Sequence, residues 1–276
     1  MGLRINTNVA ALSAHRQLTD TDNRLGRIME RLSSGYRINR SKDDVAGLSI
    51  ANKFRMEVRA LRAAQQNVSQ GQALLQVAEG GTQKIEEIVE RLKELAISAA
   101  SSNTDDDGRA RIDAEAKELL AEIDQIATDT KYSGVSLLSG TINLTFQVGS
   151  GNVSGEDQIV VNSSFGLLSS NLGLSTLSMA SIVSAQSALT TLDNALASVN
   201  KVVGQIGAAA SRLEFSAGNL AITIENFDAS HSTIRDADMA LEMTALTKNQ
   251  ILLQAGTSML AQANLLPQSV LALLGQ

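Results

Sequence analysis

From Ile182 to Phe227 the chain places an apolar residue at alternating steps of three and four. One line runs through Ile182, Leu189, Leu196, Val203, Ala210, Ala217 and Ile224, and its companion through Ala185, Leu192, Val199, Ile206, Leu213, Leu220 and Phe227. A seven-residue apolar repeat kept up this long belongs to a helix packed lengthwise against other helices. At about 1.5 Å per residue that helix would be roughly 70 Å long. Few folds accept such an element, and those that do are bundles and coiled coils.

The rest of the chain agrees. Aromatic residues make up 3%, tryptophan is absent and Pro267 is the sole proline, so nothing upstream of it interrupts a long helix. Such a composition favours thin helix–helix seams over a thick globular core. A net charge of −6 makes nucleic acid a poor partner. The lack of cysteine removes disulfides, thiol catalysis and cysteine-ligated metals. The first residues, MGLRINTNVAALSAHRQL, alternate polar with apolar and lack the continuous apolar core of a signal peptide. Export would therefore not use a cleavable secretory signal. The stretch Ile251 to Leu274 is apolar, yet Gln254, Ser258, Gln262, Asn264, Gln268 and Ser269 interrupt it at a cost that hydrocarbon would not tolerate. It reads as an amphipathic helix, with no membrane insertion.

More seams follow the same logic. Ala11, Leu18, Leu25 and Leu32 form one line near the start, with Ala14, Thr21 and Ile28 beside it. Ser33-Ser34-Gly35 ends it, and Asp43 or Asp44 is placed to cap a helix starting at Val45. That helix carries Leu61, Val68, Leu75, Thr82, Val89 and Ala96 opposite Ala64, Gly71, Ala78, Ile85, Leu92 and Ala99. After a polar turn at Ser101 to Gly108, a helix from about Arg109 to Thr128 is expected to turn Ile112, Leu119, Ile123 and Ile126 inward. TINLTFQVGS and EDQIVVN then alternate with the two-residue period of strands, flanking GNVSG as a β-hairpin. A break is expected around Asp228 to Ser232, followed by a last helix from about Ile234 in which Ala245, Leu252, Met259 and Leu266 recur at seven beside Leu246, Leu253 and Leu260.

The two ends differ chemically. Residues 1–40 are rich in arginine, and nothing after Lys248 is charged. A charge-free amphipathic helix must bury its stripe against the N-terminal helix, other subunits or a chaperone.

Catalytic chemistry is hard to find. Asn103 to Gly108 opens like a calcium loop, but the twelfth position is Ala114, so a capping turn is the better reading. His15 and His231 lack metal spacing and read as polar surface or interface residues. Asp236 and Asp238 suit a helix start. No nucleophile has a plausible base beside it, so neither an enzyme nor a cofactor is expected.

Several segments strongly resemble bacterial flagellin: INTNVAAL at 5–12, RLSSGYRINRSKDDVAGLSIA at 31–51 and QNVSQGQALLQVAEG at 66–80. So do GAAASRLEF at 207–215, IRDADMALE at 234–242 and QAGTSMLAQANLLPQSVLALL at 254–274. The resemblance spans about the first 150 and last 100 residues in order. It implies a mainly α protein, a long antiparallel helical bundle with one small β-hairpin region and the termini paired as a second coiled coil. It implies an inner-tube coiled coil at 1–43 plus 235–276 and an outer-tube bundle at 44–140 plus 176–234. The hairpin region would occupy 141–175, with no further outer domains.

The implied function is the structural subunit of the flagellar filament, secreted to the cell exterior and self-assembling into a helical homopolymer. The residues expected at the polymerising inner interface are Leu18, Leu25, Leu32, Leu252, Leu253, Met259, Leu260, Leu265 and Leu266. The resemblance also implies an export chaperone on the C-terminal helix, the flagellar type III export apparatus, and filament cap and hook-junction proteins. A host Toll-like receptor senses some flagellins through positions that match Arg91, Leu95 and Glu115 here. Two other readings stay open: a hook–filament junction protein and a soluble coiled-coil adaptor.

Overall fold

The computed structural model describes residues 7–153 and 155–274, with side chains described except at residues 142, 162–164 and 266–274. The chain order is α1 (Val9–Ser34), α2 (Val45–Ala100), α3 (Asp106–Asp129), β1 (Lys131–Tyr132), β2 (Val135–Ser136), β3 (Thr141–Gln147), β4 (Gln158–Ser164), α4 (Ile182–Arg235) and α5 (Met239–Leu274). Two compact units emerge, Met1–Met56 with Asn226–Gln276 and Glu57–Glu225. The architecture is mainly α, as the sequence implies, with two small antiparallel hairpins among the described residues.

In the Glu57–Glu225 unit, all twelve positions of the α2 double line from Leu61 to Ala99 are buried. Burying each leucine, isoleucine or valine there is worth about 1.5–3 kcal/mol. α4 runs antiparallel to α2: Lys93 Nζ meets Asp193 Oδ1 at 2.5 Å, and a Cβ on Gly71 would lie 3.1 Å from Leu213 Cδ1. On α4 the line through Ala185, Leu192, Val199, Ile206, Leu213 and Leu220 is buried as expected. The line through Ile182 and Leu189 is only half-buried, and Ala188, Ala195, Val202 and Ala209 are buried in its place. Alanines make the closer contact, so the seam is rotated toward them. α4 also continues without a break through Asp228 to Ser232. The hydroxyl of Ser230 donates to Asn226 O at 2.7 Å and that of Thr233 to Ala229 O at 2.9 Å. Bonding back along the helix replaces the capping these residues would otherwise supply.

α3 departs further from expectation. Ile112, Leu119 and Ile126 are half-buried, whereas Arg109, Asp113, Ala116, Ile123 and Ala127 are buried. The two buried charged residues are tolerated because each is bonded to other groups, although Arg109 Nε has no partner among the described residues. Arg109 donates to Thr104 O and, at 2.6 Å, to Asp106 Oδ1. Asp113 Oδ1 accepts the Met179 amide at 2.6 Å and the Ser178 hydroxyl at 3.1 Å, while Lys117 Nζ lies 2.7 Å from Oδ2. Asp124, three turns on, accepts the amide and the hydroxyl of Ser169, both at 2.7 Å. These two carboxylates tie down the strap between β4 and α4, whose Phe165, Leu167, Leu174 and Met179 are core residues.

Burial alone would push the Asp113 carboxyl up, but Lys117, the Met179 amide and the Ser178 hydroxyl outweigh it and hold it below the ordinary carboxylate value. A depressed folded-state value stabilises above the unfolded pKa and is lost as pH falls through the folded one. Urea midpoints should therefore hold at neutral pH and drop below about pH 4. Asp113→Ala should cost about 1–3 kcal/mol at pH 7 by orphaning the Met179 amide, and should flatten part of that acid limb. An acid limb unchanged in the variant would remove Asp113 from this account.

The expected hairpin is present as β3 and β4, antiparallel with Thr145 opposite Val160 and Gln147 opposite Gln158. Gly149 and Gly151 leave room for the Asp157 carboxylate, which accepts the Val153 amide at 3.0 Å. A second, unexpected hairpin joins β1 to β2 through Ser133 and Gly134, at φ 51° and 83°. Two consecutive positive φ values are the backbone of the tightest hairpin turns.

Candidate assembly interface

α1 and α5 pair antiparallel in the unit formed by the chain's two ends. Asn8 caps α1 by accepting the Ala11 amide at 3.0 Å and donates across to Ala263 O at 2.8 Å. In the middle, a Cβ on Gly256 would stand 3.3 Å from Leu18 Cδ1. At the far end Arg31 bridges to Glu242 at 3.1 Å, with the carboxylate nearly sealed from solvent. Thr21 and Ile28 are buried in the seam, and Leu18, Leu25 and Leu32 are half-buried.

On α5 the companion line of the expected repeat, Leu246, Leu253 and Leu260, faces α1, but Leu252 and Met259 of the main line do not. Glu242 and Asn249 are buried and Gly256 and Ala263 half-buried, alternating with half-buried Leu246, Leu253 and Leu260. The Asn249 amide is satisfied by Ala245 O at 2.7 Å. Small and polar residues let the helices approach closely. The larger side chains consequently point outward: Leu252 is 45% exposed, Met259 64% and Leu265 55%. Leu12, Met29, Leu241, Met243 and Ile251 are exposed with them. Leu266 lies outside the described side chains. The expected interface residues thus divide into a seam set, Leu18, Leu25, Leu32, Leu253 and Leu260, and an outward set, Leu252, Met259 and Leu265. A groove of about 490 Å³ opens between Ala10, Ala14, Gln17, Met259 and Ala263.

The joint beside this pair is polar and tightly bonded. Gly35, at φ 73°, ends α1, and Tyr36 bridges to Asp236. The Arg37 amide donates to Arg235 O at 2.7 Å, and the Arg235 guanidinium lies 4.3 Å over the Tyr36 ring. Asp44 caps α2 through the Gly47 amide at 2.8 Å. Asp43 instead accepts the Arg40 and Asn39 amides, which hold its carboxyl below the ordinary value. Asp238 caps α5 through the amides of Ala240 and Leu241. His15 is exposed and His231 half-buried, with no hydrogen-bond partner for its Nε2 among the described residues.

In the other unit, Arg91 pairs with Glu94 at 3.0 Å and with Glu115 at 3.1 Å. Those two contacts, Glu94 first, raise its pKa. Arg91 and Glu115 are exposed, whereas Leu95 is 7% exposed and belongs to the core. Asp105, in the calcium-like turn, caps α3 through the Gly108 amide at 2.8 Å.

Residues 5–143 match the bacterial flagellin N-terminal helical region and residues 189–274 the bacterial flagellin C-terminal helical region. The chain belongs to the bacterial flagellin family. Flagellin FlaB1 of Treponema pallidum (strain Nichols) is 36% identical over 98% of this chain and 99% of its own length. Among solved structures, Bacillus cereus flagellin superposes with a TM-score of 0.50 at 23% identity, over 56% of this chain and 88% of that one. A putative flagellar hook-associated protein from Vibrio parahaemolyticus gives 0.56 at 15% identity, over 70% and 99%. At such identities both likenesses speak for the fold alone. Among these residues, sequence reasoning had missed Glu242, Asn249 and Gly256, whose polarity or smallness carries no hydrophobic signal.

Proposed function

We propose that this chain is the structural subunit of a bacterial flagellar filament, and that it polymerises through the outward face of its α1–α5 pair. The observation that carries this reading is the division of apolar residues on α5, with Leu253 and Leu260 turned to α1 and Leu252, Met259 and Leu265 left in solvent. Covering the remaining exposed area of each outward side chain gains about 1–1.5 kcal/mol, roughly half the value of full burial. Several together offset an association cost of roughly 4–15 kcal/mol.

On this reading 1–43 with 235–276 form the inner tube, 44–140 with 176–234 the outer tube, and 141–175 a hairpin region of the outer tube. The subunit works outside the cell, in the filament. Before assembly an export chaperone covers α5, whose uncharged outward stripe is an aggregation hazard in isolation. The type III export apparatus, the filament cap and the hook-junction proteins complete the partners. For the host Toll-like receptor, contact falls to Arg91 and Glu115, since Leu95 is buried.

Purified protein seeded with filament fragments is expected to grow long filaments under the electron microscope. Discrete dimers or trimers would point to a coiled-coil adaptor, and attachment to seed ends without elongation to a junction protein.

A further inference from the structure

Four of the five phenylalanines have a place within the chain. Phe165 is in the core, Phe54 and Phe227 stack with centroids 5.5 Å apart, and Phe146 covers Gly71. Phe215 does not. It is 78% exposed on α4, and Ile222, one heptad further, is 61% exposed. Seven residues make almost two full turns, so both share a face, with short side chains at Ala208, Ser211 and Asn219 around them. Leu213, two residues before Phe215, is fully buried toward α2. At 100° per residue Phe215 therefore looks away from the α2–β3 side of its own unit.

On that other side lies a groove of about 320 Å³ between α2, β1 and β3, lined by Gln70, Gly71, Leu74, Tyr132, Phe146 and Gln147. A buried cavity of about 150 Å³ already holds a benzene ring, so there is room for an aromatic side chain. Its floor is apolar and its rim carries amides. Charge matches as well. Arg212 is exposed one turn from Phe215, and exposed Glu156 stands two residues before Gln158, the strand partner of the rim residue Gln147.

We propose that Phe215 of one copy docks in the α2–β1–β3 groove of the next, with Arg212 of the first meeting Glu156 of the second. This rests on the filament-subunit reading above. The occupant is a second copy because one unit carries both knob and groove with complementary charge beside them. Knob and groove face opposite ways, so the contact is heterologous and extends into an open array instead of closing as a dimer.

The absence of native cysteine makes the test clean. Ser211→Cys, which keeps Phe215, is mixed with Gln70→Cys, grown on wild-type seeds and treated with a short bis-maleimide. The expected product is a 211–70 linked dimer, present in polymer and absent from the unpolymerised mixture. Linkage of Ser211→Cys only to itself, or only to a control Glu118→Cys, overturns the contact. In parallel, Phe215→Ala should raise the critical concentration at least tenfold, as expected of an aromatic hot spot, with unchanged thermal unfolding of the monomer. Assembly of Phe215→Ala at the wild-type concentration overturns it too. A wild type that never polymerises overturns the subunit reading itself, and this contact with it.

Discussion

Leu260→Asp is expected to abolish filament growth while leaving the Glu57–Glu225 unit folded. Leu260 is half-buried on the α5 face toward α1, one turn from Gly256 and close to Ala263. The seam there is thin: a Cβ on Gly256 would already stand 3.3 Å from Leu18 Cδ1. Little apolar surface is available to compensate a loss. No charge follows Lys248 on α5 to meet a carboxylate at this depth, and Arg16, in the stretch of α1 opposite, is exposed. Burying an unpaired charge costs several kcal/mol, and the alternative is to separate the helices. Separation also scatters Leu252, Met259 and Leu265, the outward residues that neighbouring subunits are proposed to cover.

The outcome is read in two assays on the full chain. Seeded growth, followed by sedimentation and microscopy, should fall to nothing. Circular dichroism should lose at most the contribution of α1 and α5, 26 and 36 residues, and the main thermal transition should stay where it is. Helicity lost evenly throughout the chain would sink the division of labour between the two units. Normal growth would remove Leu260 from the assembly surface.

How far the fold could be read from sequence depended on where the hydrophobic signal sits. The α2 seam was legible because six leucine, valine and isoleucine residues share its twelve buried positions, in strict register, with six small ones. On α5 the signal misled. The large apolar residues Leu252 and Met259 trace a repeat, but the face that meets α1 carries Glu242, Asn249, Gly256 and Ala263. Close approach selects small side chains there, and a buried ion pair with Arg31 looks in sequence like a solvated charge. The same blindness hid Asp113 and Asp124. Their partners, Met179 and Ser169, lie 66 and 45 residues away along the chain, beyond the reach of local pattern. The β1–β2 hairpin was missed because two-residue strands have no period to detect.

The seam of α4 supplies the sharpest separation between pattern and packing, since Leu192 and Leu196 are equal members of the repeat that first marked this helix. Leu192 is fully buried, and Leu196 only half-buried. An ideal helix drifts by about 20° per heptad against a strict seven-residue repeat. Burial nonetheless keeps strict seven-residue spacing from Ala185 to Leu220, so the seam does not drift, and its second line is Ala188, Ala195, Val202 and Ala209 instead of Leu189 and Leu196. Leu192→Ala removes side-chain contacts on every side and leaves a cavity that rigid neighbouring helices cannot close, which costs about 2–5 kcal/mol. For a unit of this size each kcal/mol lowers Tm by about 2–4 °C, so a fall on the order of 10 °C is expected. Leu196→Ala, with water already at its edge, should cost about half as much or less, because the transfer contribution shrinks with the area left exposed and no sealed cavity forms. Scanning calorimetry of the two monomers measures the difference directly. Equal losses would restore the symmetric two-line seam and refute the rotation. A larger loss at Leu192 would mean that the alanines, the least hydrophobic members of the pattern, set the register of this helix.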